Sequence, residues 1–112
     1  MRFLSSLRGA DSLTPAAAAA GVAEGTLVLV DVREDGEFRS GHAPGARHIA
    51  LGRLAATLDE LAADGRPVAF VCRSGARSGV AARQAAAAGI EAHNVRGGMA
   101  AWQHAGLAVR QR

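Results

Sequence analysis

Cys72 is the only cysteine in the chain, and it stands where the apolar run Val68-Ala69-Phe70-Val71 gives way to Arg73-Ser74-Gly75-Ala76-Arg77-Ser78 and then to an alanine-rich stretch. The pattern predicts a buried strand, a short glycine-containing loop led by the thiol, and a helix from about Ser78 to Ala88, closed by Gly89. A thiol so placed faces backbone N–H groups and the positive end of a helix dipole, with two arginines in its own loop. All three favour thiolate over thiol, and thiolate is the nucleophile. A lone cysteine is more often an inert core residue. The flanking Arg73 and Arg77 turn the reading toward catalysis.

The elements that must hold this loop can be followed along the chain. Thr14-Pro15 starts a helix, with a hydroxyl cap and proline at the first helical position, and Gly25 ends it. Thr26 to Val32 is a β-branched and leucine run, apolar on both faces as in a central parallel strand. Arg33 to Ser40 reads as a short helix anchored by Phe38, Gly41 to Gly45 as a turn, and Arg47 to Ile49 as a brief strand. Leu51, Leu54, Ala55, Leu58, Leu61 and Ala62 recur at helical spacing and predict one apolar helical face, ended by Gly65. After the Cys72 segment come a strand at Ala92 to Val95, a helix opened by Gly97-Gly98 with Met99 and Trp102 as core anchors, and a short strand at Leu107 to Val109. Strands alternating with helices predict an α/β layer structure with a mostly parallel sheet. In such sheets ligands bind beyond the carboxyl ends of strands, where Cys72 and Asp31-Val32-Arg33 both fall.

At 112 residues the chain is long enough for one core and too short for two. A single cysteine excludes an intrachain disulfide and a Cys-x-x-Cys redox or zinc site, and the cytoplasm is the default setting. The net charge is +3 and every basic residue besides histidine is arginine, but the arginines are scattered. With no basic stripe interleaved with aromatics, nucleic-acid binding is not indicated, and a small anionic substrate suits the charge. No segment approaches the roughly 20 apolar residues of a membrane span. Met1 to Gly9 is too briefly apolar for a signal-peptide core and reads as a loosely docked terminus.

The spaced set Asp31-Val32-Arg33-Glu34, Gly41-His42-Ala43-Pro44-Gly45-Ala46, Cys72 to Ser78 and Gly97-Gly98-Met99 with Trp102 closely resembles the single-domain rhodanese family. Ala43 and Ala108 depart from the family's common isoleucine and proline, changes that concern packing. The resemblance covers about Ser12 to Val109, which divides the chain into an extension (1–11), a rhodanese domain (12–109) and a tail (110–112). It implies a rhodanese-like fold, a five-stranded parallel sheet with helices on both faces. It also implies sulfurtransferase activity through a Cys72 persulfide, with thiosulfate as donor, cyanide or a thiol (on a small molecule or a carrier protein) as acceptor, and no cofactor or metal.

On that reading residues 72–77 curl round the sulfur, so that successive N–H groups make an anion nest above the helix N-terminus. Gly75 allows the turn. Arg73 and Arg77 meet the sulfonate-like end of the donor, with Ser74 and Ala76 contributing backbone to the same site. Ser78 is a helix cap or a hydrogen-bond donor to the loop. Asp31 and Arg33 are expected to form an ion pair that anchors the strand end, and His42 to make a structural hydrogen bond in its turn. Glu34, Asp35 and Glu37 read as a solvated acidic patch. None of the four histidines has metal-ligand spacing with another.

Two other classes compete. Cysteine phosphatases and arsenate reductases of related fold place five residues between cysteine and arginine, whereas four separate Cys72 from Arg77. One residue fewer removes up to about 3.5 Å of chain and narrows the cradle. Non-catalytic modules of this fold commonly lack the cysteine, which this chain keeps. Nothing in the sequence assigns an oligomeric state.

Overall fold

The computed structural model describes residues 11–111. The reading of Met1 to Gly9 lies outside the described residues. Five strands, β1 (Asp11–Leu13), β2 (Val28–Asp31), β3 (Arg47–His48), β4 (Val68–Val71) and β5 (Ala92–Val95), form one sheet in the order β1-β5-β4-β2-β3. Every pairing is parallel. Among the described residues there are five α-helices, four between successive strands and one after β5: α1 (Pro15–Glu24), α2 (Asp35–Ser40), α3 (Leu58–Asp64), α4 (Ala76–Ala87) and α5 (Gly98–His104).

Strand alternation sorts the core into two layers. Val28, Val30, Val32, Val68, Phe70 and Cys72 pack with Leu54, Leu61 and the alanines Ala81, Ala82 and Ala85 of α4. Leu29, Ala69, Val71 and Val95 face the other way, onto Ala18 of α1 and onto Met99 and Trp102 of α5. Helices presenting alanine approach the sheet closely, which is how a chain with only 4% aromatic residues closes its core. Trp102 is buried as a core anchor, and its Nε1–H donates to the Ala108 carbonyl at 2.9 Å, tying down the segment after α5.

The structure departs from expectation in several places. The segment read as one helical face begins as a 3-10 helix, Leu51–Thr57, before α3; Leu54 and Leu61 are buried while Ala55 and Ala62 are exposed. Only the leucines have enough apolar area to hold that segment on the sheet. Leu107 to Val109 is not a strand; its neighbour Arg110 instead makes an antiparallel bridge to His42. The edge strand β1, Asp-Ser-Leu, carries no β-branched signal and forms by pairing with β5. Contacts with the body of the fold run from Asp11, paired with His93, to Gln111, whose Nε2–H donates to the Ser40 carbonyl at 3.2 Å.

β2 and β4 are adjacent, with Asp31 opposite Val71, so the strand ends that lead to Arg33 and to Cys72 lie side by side. The expected Asp31–Arg33 pair is present and buried, at 0% and 6% exposure. Asp31 accepts from the Arg33 backbone N–H at 3.0 Å and from Nε and Nη2, the latter at 2.8 Å. Nη2 also reaches the Gly41 carbonyl at 2.7 Å, fastening the turn after α2 to the end of β2. Removing one partner of a buried pair strands the other's charge. Arg33→Met is therefore expected to cost about 3–5 kcal/mol in urea denaturation, and a loss below 1 kcal/mol would show the pair to be energetically idle.

Candidate active site

Cys72 follows the last residue of β4, and its side chain points to the layer of α4. The residue is 1% exposed. Sγ accepts the Gly75 backbone N–H at 3.1 Å, and the Ser78 hydroxyl lies 3.3 Å away. Burial pushes the thiol up, but hydrogen bonds from the Ser78 hydroxyl and from the Ser78, Gly75 and Ser74 N–H groups bring it below the ordinary cysteine value. The sulfur therefore sits in a cradle that favours its anion.

What aims the Ser74 amide is the far side of the loop. The Cys72 carbonyl accepts the Met99 N–H at 2.8 Å, and the Arg73 carbonyl accepts the Ala100 N–H at 3.0 Å. In a trans peptide the N–H points opposite to the C=O. Drawing the Arg73 carbonyl onto α5 thus turns the Ser74 N–H toward the sulfur. Gly98 makes the approach possible: its φ is +60°, and a Cβ there would meet the Cys72 and Arg73 carbonyl oxygens at 2.5 Å. Gly75, at φ +113°, supplies the turn into α4.

The six residues expected to bind substrate do not all present their side chains. α4 begins at Ala76 rather than Ser78, so its N-cap is Gly75, and Ser78 sits within the first turn. Ser78 is not the cap; it is fully buried, bonded at 2.6 Å to Asn94 Oδ1 of β5 as well as facing the sulfur. Arg73 and Ser74 are exposed. Arg77 forms a two-pronged ion pair with Glu37 of α2, at 2.8 and 3.0 Å, so its forked donors are already engaged. Glu37, half-buried, is consequently more than a solvated carboxylate: the Arg77 guanidinium holds its carboxyl down to about 2, against a smaller upward push from burial. Glu37 also accepts the Glu34 N–H, a capping box that starts α2.

His42 makes the expected structural bond, its Nδ1–H donating to the Phe38 carbonyl at 2.8 Å. Phe38 stacks on His42 and His48, and His48 Nε2–H donates to the Arg33 carbonyl at 2.7 Å. Sequence reasoning missed Asn94, which bonds both Ser78 and the Gly75 carbonyl. The available sign was a polar residue on the same strand face as buried Ala92. Among the described residues, no three His, Cys, Asp or Glu side chains cluster so as to hold a metal ion. None of the described helices is long and apolar enough to cross a membrane.

The rhodanese-like domain family model matches residues 14–105. The chain belongs to the rhodanese-like domain family. YtwF of Bacillus subtilis (strain 168), which carries the name of an inferred sulfurtransferase, is 40% identical over 72% of this chain and 78% of its own length. A Rhodopseudomonas palustris CGA009 protein of unknown function, described as a candidate tyrosine phosphatase, superposes with a TM-score of 0.83 at 28% identity, covering 97% of this chain and 91% of the other. Thiosulfate sulfurtransferase from Pseudomonas aeruginosa gives a TM-score of 0.83 over 98% of this chain and 22% of that one; at 24% identity the likeness speaks to fold alone.

Two substitutions test the scaffold. Gly98→Ala is expected to cost at least about 1–3 kcal/mol in chemical denaturation and to slow iodoacetamide alkylation of Cys72, because the new Cβ pushes the loop carbonyls off α5. Unchanged alkylation would show that α5 does not aim the amides. Glu37 is depressed on folding, so its contribution to stability is fully present above pH 4.5 and lost as pH falls toward about 2. Glu37→Gln should therefore lower the urea midpoint at pH 7, and the gap to wild type should close by pH 2; a gap independent of pH would mean the carboxylate is not the source.

Proposed function

We propose that this protein is a sulfurtransferase that carries sulfane sulfur on Cys72. The observation that supports it is the convergence of the Gly75 N–H and the Ser78 hydroxyl on a buried sulfur at the carboxyl end of a central strand. The inferred activity of YtwF agrees with this reading.

The cycle has two balanced steps. The Cys72 thiolate attacks the outer sulfur of thiosulfate, a new S–S bond forms, and sulfite leaves with the electron pair of the old one. The negative charge is now on the outer sulfur of the persulfide, where the loop amides hold it. A nucleophile such as cyanide or a thiolate then attacks that outer sulfur, the S–S bond breaks, and Cys72 recovers its electron pair as thiolate. The attacking species is the thiolate, which the hydrogen bonds at Sγ favour, and with it formed neither step calls for a general base. Arg73 is exposed at the loop and supplies positive charge to the incoming anion, while Arg77 acts mainly through Glu37 in holding the loop. Asp31, Arg33 and His42 support the neighbouring strand end and turn.

A phosphatase reading asks for an arginine that grips the phosphate's oxygens from across a wider loop. Here Arg77 is already gripped by a carboxylate, one residue closer to the cysteine. The domain proposed for the chemistry is 12–109, working in the cytoplasm, where a lone thiol stays reduced.

Intact mass after thiosulfate treatment should rise by one sulfur atom and return to the starting value on adding cyanide, with thiocyanate released. Cys72→Ser should lose both the mass gain and the thiocyanate, at least a thousandfold in turnover, roughly 4 kcal/mol or more, while keeping its circular dichroism. Thiocyanate formation by that variant, or a wild-type mass that never changes with either thiosulfate or a small-molecule persulfide as donor, would defeat the assignment.

A further inference from the structure

Ser78 carries one hydroxyl proton and faces two acceptors. Its Oγ lies 2.6 Å from Asn94 Oδ1 and 3.3 Å from Cys72 Sγ. The Asn94 amide cannot be reversed: Nδ2 donates to the Gly75 carbonyl at 3.1 Å, and a carbonyl only accepts. Oδ1 is therefore the atom that meets Ser78. An amide oxygen also only accepts, so the 2.6 Å bond uses the serine proton. With the proton on Asn94, Ser78 offers the sulfur lone pairs, which suit a neutral S–H; the alternative, with the proton turned to Sγ, is the bond that favours the thiolate. A hydrogen bond to an ionised group is roughly twice as strong as a neutral one, so ionisation of Cys72 draws the proton round to Sγ and leaves Asn94 Oδ1 without its partner.

We propose that Asn94 is a positioning residue, giving the Ser78 proton a second acceptor so that it faces Sγ while that sulfur is an anion and returns to Asn94 when Sγ is neutral. The use of this two-position proton rests on the sulfurtransferase reading. In the persulfide the charge has moved to the outer sulfur, and Sγ, bonded to carbon and sulfur, is a weak acceptor. Without Asn94 the buried Ser78 hydroxyl would lose its partner at that moment. Asn94 thus favours the loaded form, and the neutral thiol, relative to the free thiolate.

The other charges near the sulfur do not duplicate this role. Arg77 stands in the sulfur's own loop and helix with Glu37 of α2 as its counter-ion, and Arg73 is exposed at the loop. α5 brings Gly98, Met99 and Ala100 to the loop and no charged group in its first turn. On β5, His93 lies on the face opposite Asn94 by strand alternation, and its Nε2 meets Glu91 Oε2 at 3.2 Å. Asp31 and Arg33, at the end of neighbouring β2, satisfy one another.

The test is a double-mutant cycle read by the pH dependence of Cys72 alkylation with iodoacetamide, which needs no sulfur donor. Ser78→Ala should raise the apparent Cys72 pKa. Asn94→Ala, freeing the proton for sulfur, should lower it by about 0.4–1 unit, roughly two- to tenfold more thiolate below the pKa. In the Ser78→Ala background Asn94→Ala should shift nothing. A rise on Asn94→Ala, no shift, or the same shift without Ser78 overturns the proposal. Should Asn94→Ala fail to fold, the unsubstituted protein still decides: the Asn94 side-chain carbonyl 13C resonance should titrate with Cys72 and lose most of that movement in Ser78→Ala, and a resonance that ignores Cys72 refutes the idea. A protein that passes these tests yet never accepts sulfur leaves the proton switch standing and removes only the sulfurtransferase reading.

Discussion

The loop that holds the Cys72 sulfur keeps its shape because its carbonyls are bonded elsewhere, and the Arg73 carbonyl shares its peptide with the Ser74 N–H that faces the sulfur. A loop that turns its N–H groups inward must turn its C=O groups outward, and buried carbonyls without partners are costly. Those of Cys72 and Arg73 go to the first turn of α5, and that of Gly75 goes to the Asn94 side chain. The cradle is therefore a property of three elements, α4, α5 and β5, and not of the six-residue loop alone. Gly98 follows from the same constraint, since any Cβ would collide with the very carbonyls the helix receives.

The charge balance at the loop is equally a matter of tertiary placement. Two arginines in sequence suggest a strongly positive mouth. In the fold, Glu37 reaches across from α2 and neutralises Arg77, so that ion pair serves chiefly to brace the loop against a helix that is itself started by the same carboxylate. For the anionic donor of the proposed function this leaves Arg73, the loop amides and the N-terminus of α4. The buried Asp31–Arg33 pair performs a parallel task at the next strand end, where Arg33 links β2 to the turn at Gly41 and its carbonyl receives His48.

Local patterns carried the fold a long way. The uninterrupted apolar runs at β2 and β4, the Thr14-Pro15 start of α1 and the glycines that close its turns are decided by neighbours in sequence, and these elements were legible. β1 was not, because three residues of no strand propensity are ordered only by the edge of β5. The 3-10 stretch before α3 escaped for a related reason: leucine spacing suits either helix type, and the packing of Leu54 and Leu61 selects the register. At the site, Cys72 and its loop announced themselves through composition. Glu37 and Asn94 did not, since one lies 40 residues from its partner Arg77 and the other 16 from Ser78. Each looks ordinary until the chain is folded.

The depth of the sulfur bears on which chemistry the loop suits. A residue 1% exposed cannot have its side chain reached by a bulky ester without opening the loop. A donor that ends in a single protruding sulfur asks for a much smaller opening. In the proposed cycle the persulfide's reactive atom would sit one S–S bond, about 2 Å, beyond Sγ, where an acceptor would meet it. On that proposal the outer sulfur takes the chemistry, and the Ser78 hydroxyl would serve an inner sulfur that alternates between charged and neutral. A donor with a fixed partner would suit only one of those two states. A hydroxyl set between Cys72 and Asn94 suits both, which places the β5 asparagine inside the logic of the site although it touches no substrate.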